Sequence, residues 1–230
     1  MSNIVIGIEG LVGSGKTSIC RELLNLIPNS IVLHGGNLYR GAVYALMCSN
    51  ESISKDINKI KENLQNIDIS EIMKKLKVEF KLENRETVVY VDGKKVDEEK
   101  LQSEKASMAV SMAGNTADNS NLFIYLRKII DEYKKQYNVI LSGRAIMEIY
   151  PDTNYHFFIT ASLEERVKRK SIQYGKQIDL EELKNHIIKR DKLQEESGFY
   201  KEYEKTIKID VTECENVQES TNKVYKYIKM

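Results

Sequence analysis

Gly10-Leu11-Val12-Gly13-Ser14-Gly15-Lys16-Thr17 has the spacing G-x-x-x-x-G-K-[ST]. Glycine at Gly10, Gly13 and Gly15 lets the backbone turn its N–H groups inward around an anion. Lys16 adds a point charge that reaches β- and γ-phosphates, and the Thr17 hydroxyl is a ligand for Mg²⁺. With Ser14 and Ser18, these residues predict a site for ATP with Mg²⁺. Glu9 stands just before the loop, where a carboxylate could approach the metal through water. A solvated strand end explains Glu9 equally well.

Cations recur farther along. Arg166, Arg169 and Lys170 fall at i, i+3 and i+4 of one helical segment, so three positive charges share a face. Such a helix could bring charge to a transferring phosphate. Tyr39 and Arg40 follow the turn His34-Gly35-Gly36-Asn37-Leu38. That turn lies beyond the carboxyl end of a strand, where open α/β sheets bind ligands, so Arg40 is read as a phosphate-holding residue. His34, His156 and His186 are scattered and read as structural or solvated. Cys20, Cys48 and Cys214 have no metal-ligand spacing and read as reduced thiols of a cytoplasmic protein.

These groups need a scaffold. Ile4 to Ile8 reads as a strand and Ser18 to Ile27 as a helix, the strand–loop–helix context that a phosphate loop requires. A turn at Pro28-Asn29 leads to a second strand, Ser30 to Leu33. Ile53, Ile57, Ile60 and Leu64 recur at helical spacing. Val78 to Leu82, Thr87 to Val91 and Lys94 to Val96 read as three strands joined by tight turns. They interrupt the alternating βα order, which predicts a separate lobe. Helix follows over 98–136, with a break near Gly114 to Asn121, and Ser107, Ser111, Ser120 and Arg127 are its ligand-facing candidates. The parallel strands resume at Asn138 to Leu141, Tyr155 to Ile159 and Thr206 to Val211. Ser162 with Glu165 makes a capping box for the helix that carries Arg166, and Leu180 to Glu196 forms the returning helix.

Net charge is +1 and no basic tract exists, which argues against a nucleic-acid or membrane surface. The chain is 41% hydrophobic and 30% charged, ordinary globular composition. Apolar runs reach only about five residues, too short for a membrane span. The first strand begins almost at once, leaving no room for a signal peptide.

With these pieces in order, the chain resembles the bacterial cytidylate kinases, nucleoside-monophosphate kinases with a P-loop. That family's landmarks are a strand-1 acidic residue, the phosphate loop, a D-[ST]-G-A-x-Y-R turn and a three-stranded insert. A serine-bearing helix, a D-G-R-D strand end, an S-x-E-E-R-x-x-R lid and an R-D-x-x-D-x-x-R segment follow. Here the lid reads Ser162-Leu163-Glu164-Glu165-Arg166-Val167-Lys168-Arg169. The resemblance implies that Lys16, Arg166 and Arg169 are catalytic and that Tyr39, Arg40, Ser111, Arg144 and Arg190 bind the acceptor. Departures cluster on the acceptor side. D-G-R-D reads Ser142-Gly143-Arg144-Ala145, and R-D-x-x-D-x-x-R reads Arg190-Asp191-Lys192-Leu193-Gln194-Glu195-Glu196-Ser197. Ala145, Gln194 and Ser197 thus stand where the family reads cytidine and completes its phosphate clamp. A family arginine falls near Ser120, and Arg127 is the nearby cation that could replace it.

The expected fold is a three-layer α/β/α P-loop domain with a central parallel sheet of about five strands. Its core would comprise residues 1–35, 126–161 and 199–230, with an acceptor lobe over 36–125 and a helical lid over 162–198. The expected activity is transfer of the γ-phosphate of ATP to CMP, dCMP or a related nucleoside monophosphate, by a monomer or weak homodimer. Two alternatives stay open. One is a kinase for another small anionic or hydroxyl acceptor, with Glu148, Asp152 or Asp191 as base; the other is a nucleotide-binding regulatory protein.

Overall fold

The fold comes from a computed structural model that describes residues 3–49, 59, 69–101, 103, 120–174 and 179–229. The chain opens with β1 (Val5–Gly10), α1 (Lys16–Leu26), β2 (Ser30–His34) and α2 (Gly35–Ser49). Then come α3 (Ile69–Lys75), the strands β3 (Val78–Glu83), β4 (Glu86–Val91) and β5 (Lys94–Lys95), and the short helix α4 (Glu98–Leu101). The second half runs α5 (Ser120–Lys134), β6 (Asn138–Ser142), α6 (Ile146–Ile149), β7 (Tyr155–Thr160), α7 (Leu163–Tyr174), α8 (Leu180–Glu196), β8 (Thr206–Asp210) and α9 (Val217–Tyr225). The segment around Ile53 to Leu64, apart from Lys59, lies outside the described residues, as do Ser107 and Ser111.

Five strands, in the order β2-β6-β1-β7-β8, run parallel. Their side chains alternate between two buried faces, as a sheet covered on both sides demands. Ile31, Leu33, Val139 and Leu141 enter one core with Leu126 and Ile130 of α5. Val32, Ile140, Ile6, Ile8, Phe157 and Ile159 enter the other with Ile19 and Leu23 of α1 and Val224 of α9.

The described sheet has eight strands, not about five, because the β3–β4 hairpin joins its edge and β5 pairs with β4. The cause is local. The outer edge of β2 would otherwise present unpaired backbone groups, and residues at the hairpin turn and in β4 satisfy them. Val32 N donates to Arg85 O at 2.8 Å, and His34 N donates to Thr87 Oγ1 at 2.9 Å. Arg85 itself donates from Nε to Ser30 O (2.9 Å) and from Nη2 to Leu24 O (2.7 Å). The three-stranded insert is therefore continuous with the main sheet. α2 lies directly on it, since a Cβ at Gly41 would come within 2.8 Å of Val89 Cγ1.

α7 and α8 form a hairpin over the phosphate loop. Val12, at the loop's middle, is 3% exposed and packs with Leu183 and Ile187 of α8 and Leu163 and Val167 of α7. Ser162 Oγ accepts from Glu165 N at 3.2 Å, the cap that the sequence implies at the start of α7. Among the described residues no helix is long and apolar enough to cross a membrane.

Candidate active site

The glycine loop is built as an anion cradle. Gly10, Gly13 and Gly15 have φ of 149°, 80° and 95°, backbone conformations that side chains disfavour. A Cβ at Gly10 would sit 2.1 Å from Ile159 O, so β1 can approach β7 there only as glycine. α1 starts at Gly15 with no side-chain cap and no acidic residue in its first turn. Its first N–H groups are left for a ligand, at the positive end of the helix dipole. Ser14 Oγ is buried without a partner among the described residues. Lys16 Nζ donates to Gly10 O and Leu11 O at 2.8 and 2.7 Å. Burial, followed by the charge of Arg144, holds its pKa well below the usual lysine value, with Asp191 opposing. These features fit a triphosphate.

The loop opens on a cavity of about 780 Å³. Ser14, Lys16, Thr17 and Ser18 line it on the donor side, with Arg169. Arg169 lies over the loop, donating from Nη1 to Ser14 O (3.3 Å) and from Nη2 to Val211 O (2.8 Å). Arg40 of α2, Arg144 beyond β6, Lys170 of α7 and Arg190 of α8 also line the cavity. Arg190 is 8% exposed and its Nε has no partner among the described residues. Like charges are thus held together, which is costly until an anion neutralises them. The same crowding weakens their hold on protons. Lys170 is pushed down to about 8 by burial, then by Arg190 and Arg40. Arg40 is lowered to about 9 by burial, Arg190 and Arg144, and Arg190 to about 10 by burial and Arg144.

A pH dependence follows. Each group binds its proton more weakly in the native state than in the unfolded chain. Once pH passes about 8, the unfolded chain holds more protons, so the unliganded protein gains stability as pH rises further. A bound anion favours the charged forms and reverses this. Affinity for inorganic phosphate is expected to be highest near pH 8, where the anion is doubly charged, and to fall as pH rises through 8 to 10. Calorimetric titration over that range checks it, and an affinity unchanged to pH 10 would remove Lys170 from the site.

Other sequence candidates sit elsewhere. Arg166 is 7% exposed and does not line the cavity. Leu163, Arg166, Val167 and Lys170 form the stripe of α7 that docks on the loop, and Arg166 is in its middle. Its guanidinium donates to Val12 O (3.1 Å), to Ala161 O (3.1 Å) and to Asp191 Oδ2. Arg166 is thus taken up by bonds within the α7–α8 arm and the loop, whereas Lys170, one turn on, lines the cavity. Glu9 is 2% exposed and also off the cavity wall. Its Oε1 accepts from Ile146 N at the start of α6 and lies 3.5 Å from His156 Nε2. Arg127 donates to Ile149 O (2.8 Å) and Glu148 O (3.2 Å), tying α5 to α6 rather than replacing an acceptor arginine. Glu148 pairs with Lys201, and Asp191 is held by Arg166 and Val12 N, so neither lines the cavity as a base. Asp152 is exposed and also off the wall. Tyr39 belongs to α2, but its side chain, like Ser111, lies outside the described residues.

Three features escaped the sequence. His34 lines the cavity and places Nε2 2.8 Å from Glu86 Oε2, in a chain that continues to Arg21 (2.9 Å) and on to Glu98 (2.7 Å). Nothing near His34 in sequence announces Glu86, which comes from the hairpin. A rim from Cys214 to Val217 closes the cavity beside Arg169 and carries no motif. Gln194 is 2% exposed and holds Arg144 rather than facing the cavity.

A phosphate loop on a parallel sheet, roofed by a basic helical hairpin and facing a cluster of arginines, defines a P-loop phosphotransferase. The model of the cytidylate kinase family matches residues 6–230. The chain is 30% identical to the cytidylate kinase of Caldicellulosiruptor bescii, covering 100% of this chain and 99% of that one. It is also 30% identical to the cytidylate kinase of Aquifex aeolicus, over 97% of this chain and 95% of the other. A solved structure of an uncharacterized protein from Eubacterium ventriosum is similar at 20% identity over 98% of both chains, with a TM-score of 0.49. The chain belongs to the cytidylate kinase family and is a nucleoside-monophosphate kinase.

Proposed function

We propose that this kinase transfers the γ-phosphoryl group of ATP to CMP, dCMP or a closely related nucleoside monophosphate. The observation that carries the reading is the cavity itself, with the phosphate loop on one side and Arg40, Arg144 and Arg190 converging opposite it. Lys16, Arg169 and the loop N–H groups would hold the triphosphate, and Lys170 would meet charge between donor and acceptor. Thr17 would hold Mg²⁺ together with phosphate oxygens; when bound, the ion neutralises charge developing on the β- and γ-phosphates. The acceptor arginines would align a phosphate oxygen in line with the transferred group, so positioning and electrostatics supply the rate and no base is needed. α7 covers the loop closely, with Arg166 O only 3.1 Å from a Cβ placed on Gly13, and such cover would exclude water.

Preference for CMP should be shallow. Gln194 and Ser197 are turned away from the cavity, Gln194 toward Arg144 and Ser197 capping α8 through Leu193 O. Ala145 is 6% exposed and off the wall. If about 1.4 kcal/mol of discrimination survives, CMP is favoured over UMP by roughly tenfold or less. Coupled ADP release with CMP, dCMP and UMP measures this. Turnover of none of them would reject the pyrimidine-monophosphate reading, and strong CMP selectivity would mean that other residues read the base.

The His34–Glu86 pair favours a second reading, transfer to a hydroxyl. A histidine oriented by a carboxylate at the cavity wall is the arrangement of a general base. Cytidine in the same assay separates the two, since only a hydroxyl acceptor requires that base.

A further inference from the structure

The acceptor arginine Arg144 is held by a chain of hydrogen bonds that reaches the phosphate loop. Arg144 Nε donates to Gln194 Oε1 at 2.6 Å. Tyr200 OH lies 2.6 Å from the same oxygen and 3.0 Å from Asp191 Oδ1. Asp191 Oδ1 accepts from Val12 N at 3.1 Å, and Oδ2 accepts from Arg166. We propose that Gln194 and Tyr200 are positioning residues that fix the Arg144 guanidinium for an acceptor anion. This rests on the reading of Arg144 as an acceptor ligand.

Three physical points support the assignment. An arginine side chain loses rotamer freedom when it binds, and anchoring it at Nε removes part of that cost before the anion arrives. Among the described residues no other protein group takes Arg144, so both Nη groups stay available for a two-pronged contact. Gln194 also holds the guanidinium through a neutral oxygen. A carboxylate at that position would pair with Arg144 and cancel the charge that attracts an anion. Gln194 is 2% exposed and faces the Arg144 Nε–H, which only its oxygen can accept, so the direction of the amide is fixed. Tyr200 packs edge-on against Phe158, ring centres 5.5 Å apart, which places its hydroxyl independently of the hydrogen bonds. The hydroxyl stays protonated because burial raises its pKa. Its single proton serves either Gln194 or Asp191, so the acceptor side and the loop share one donor.

The test is titration of the full chain with inorganic phosphate, calorimetrically, with ADP saturating the donor side. Gln194→Met keeps the volume and removes the acceptor oxygen; Tyr200→Phe keeps the ring and removes the hydroxyl. Phosphate affinity should fall about tenfold in the first and about threefold to fivefold in the second, while ADP affinity stays within about twofold. In an Arg144→Ala background neither substitution should weaken phosphate further, because both act through Arg144. Losses that persist in that background, or full affinity in both single variants, would overturn the proposal. If Gln194→Met fails to fold, the Tyr200→Phe cycle decides alone. With CMP and ATP, the same variants should raise the acceptor KM and leave the ATP KM in place. A wild-type chain that binds phosphate but does not turn over CMP would reject the nucleoside reading and leave the phosphate cycle interpretable.

Discussion

Replacing Lys16 with alanine should lower kcat at least ~100-fold while leaving the thermal midpoint within a few degrees of wild type. The two halves of this expectation have separate causes. Lys16 Nζ is the cation nearest the loop carbonyls, bonded to Gly10 O and Leu11 O, and it has no carboxylate partner among the described residues. Its charge is held in a buried place beside Arg144, at a cost that the folded protein bears without ligand. Removing it forfeits two hydrogen bonds but relieves that cost, so stability changes little. A triphosphate reverses the balance, because the lysine then neutralises charge that grows during transfer. Steady-state kinetics and thermal unfolding of the same preparation check both halves. A variant retaining more than about a tenth of wild-type kcat would refute the role given to Lys16.

Replacing Arg166 with alanine should do the opposite, costing about 3 kcal/mol and lowering the midpoint by roughly 6–12 °C. Arg166 holds Asp191, Val12 O and Ala161 O at once, so its loss strips the charge partner from a carboxylate only 18% exposed. Val12 N and Tyr200 OH would still bond Asp191, which keeps the penalty below the upper range for a broken buried pair. Arg169→Ala is the control on the same helix. It should lower kcat with a much smaller change in midpoint, since Arg169 is partly exposed and rests over the loop. Should Arg166→Ala leave the midpoint unchanged and lower kcat as far as Lys16→Ala, the arginine would belong with the transferring phosphate after all.

The phosphate loop and the five parallel strands were legible because their signals are local. Glycine spacing, β-branched runs and the Ser162–Glu165 cap each declare themselves within a few residues. What stayed hidden depends on partners distant in the chain. The hairpin reads as a separate lobe because no residue in it announces that Arg85 will bond Ser30 and Leu24 across the edge of β2. Three cations on one helix read as equivalent, yet the rotation of α7 decides which of them meets the ligand. That rotation is set by Leu163 and Val167 packing on Val12. An apolar residue in the middle of a phosphate loop was the available clue that something covers it. Glu9 could be placed at a strand end but not aimed, since its partners Ile146, at the start of α6, and His156 of β7 lie far along the chain. Gln194 looked like a lost nucleoside contact, and its bond to Arg144 shows a gained internal one.

The fusion of the hairpin to β2 bears on how the enzyme cycles. α2, which carries Arg40, lies against Val78 and Val89 of a hairpin that is itself part of the sheet. Swinging α2 away would mean unpacking it from Val78 and Val89 of the sheet, not bending a linker. The expected result is an acceptor side that stays fixed through Arg40, with admission and product escape left to the α7–α8 arm. Its attachment to the loop is a small apolar patch and the bonds of Arg166, Arg169 and Asp191. Amide exchange should report this asymmetry, with slow exchange in β4 matching the central strands and faster opening confined to the α7–α8 arm.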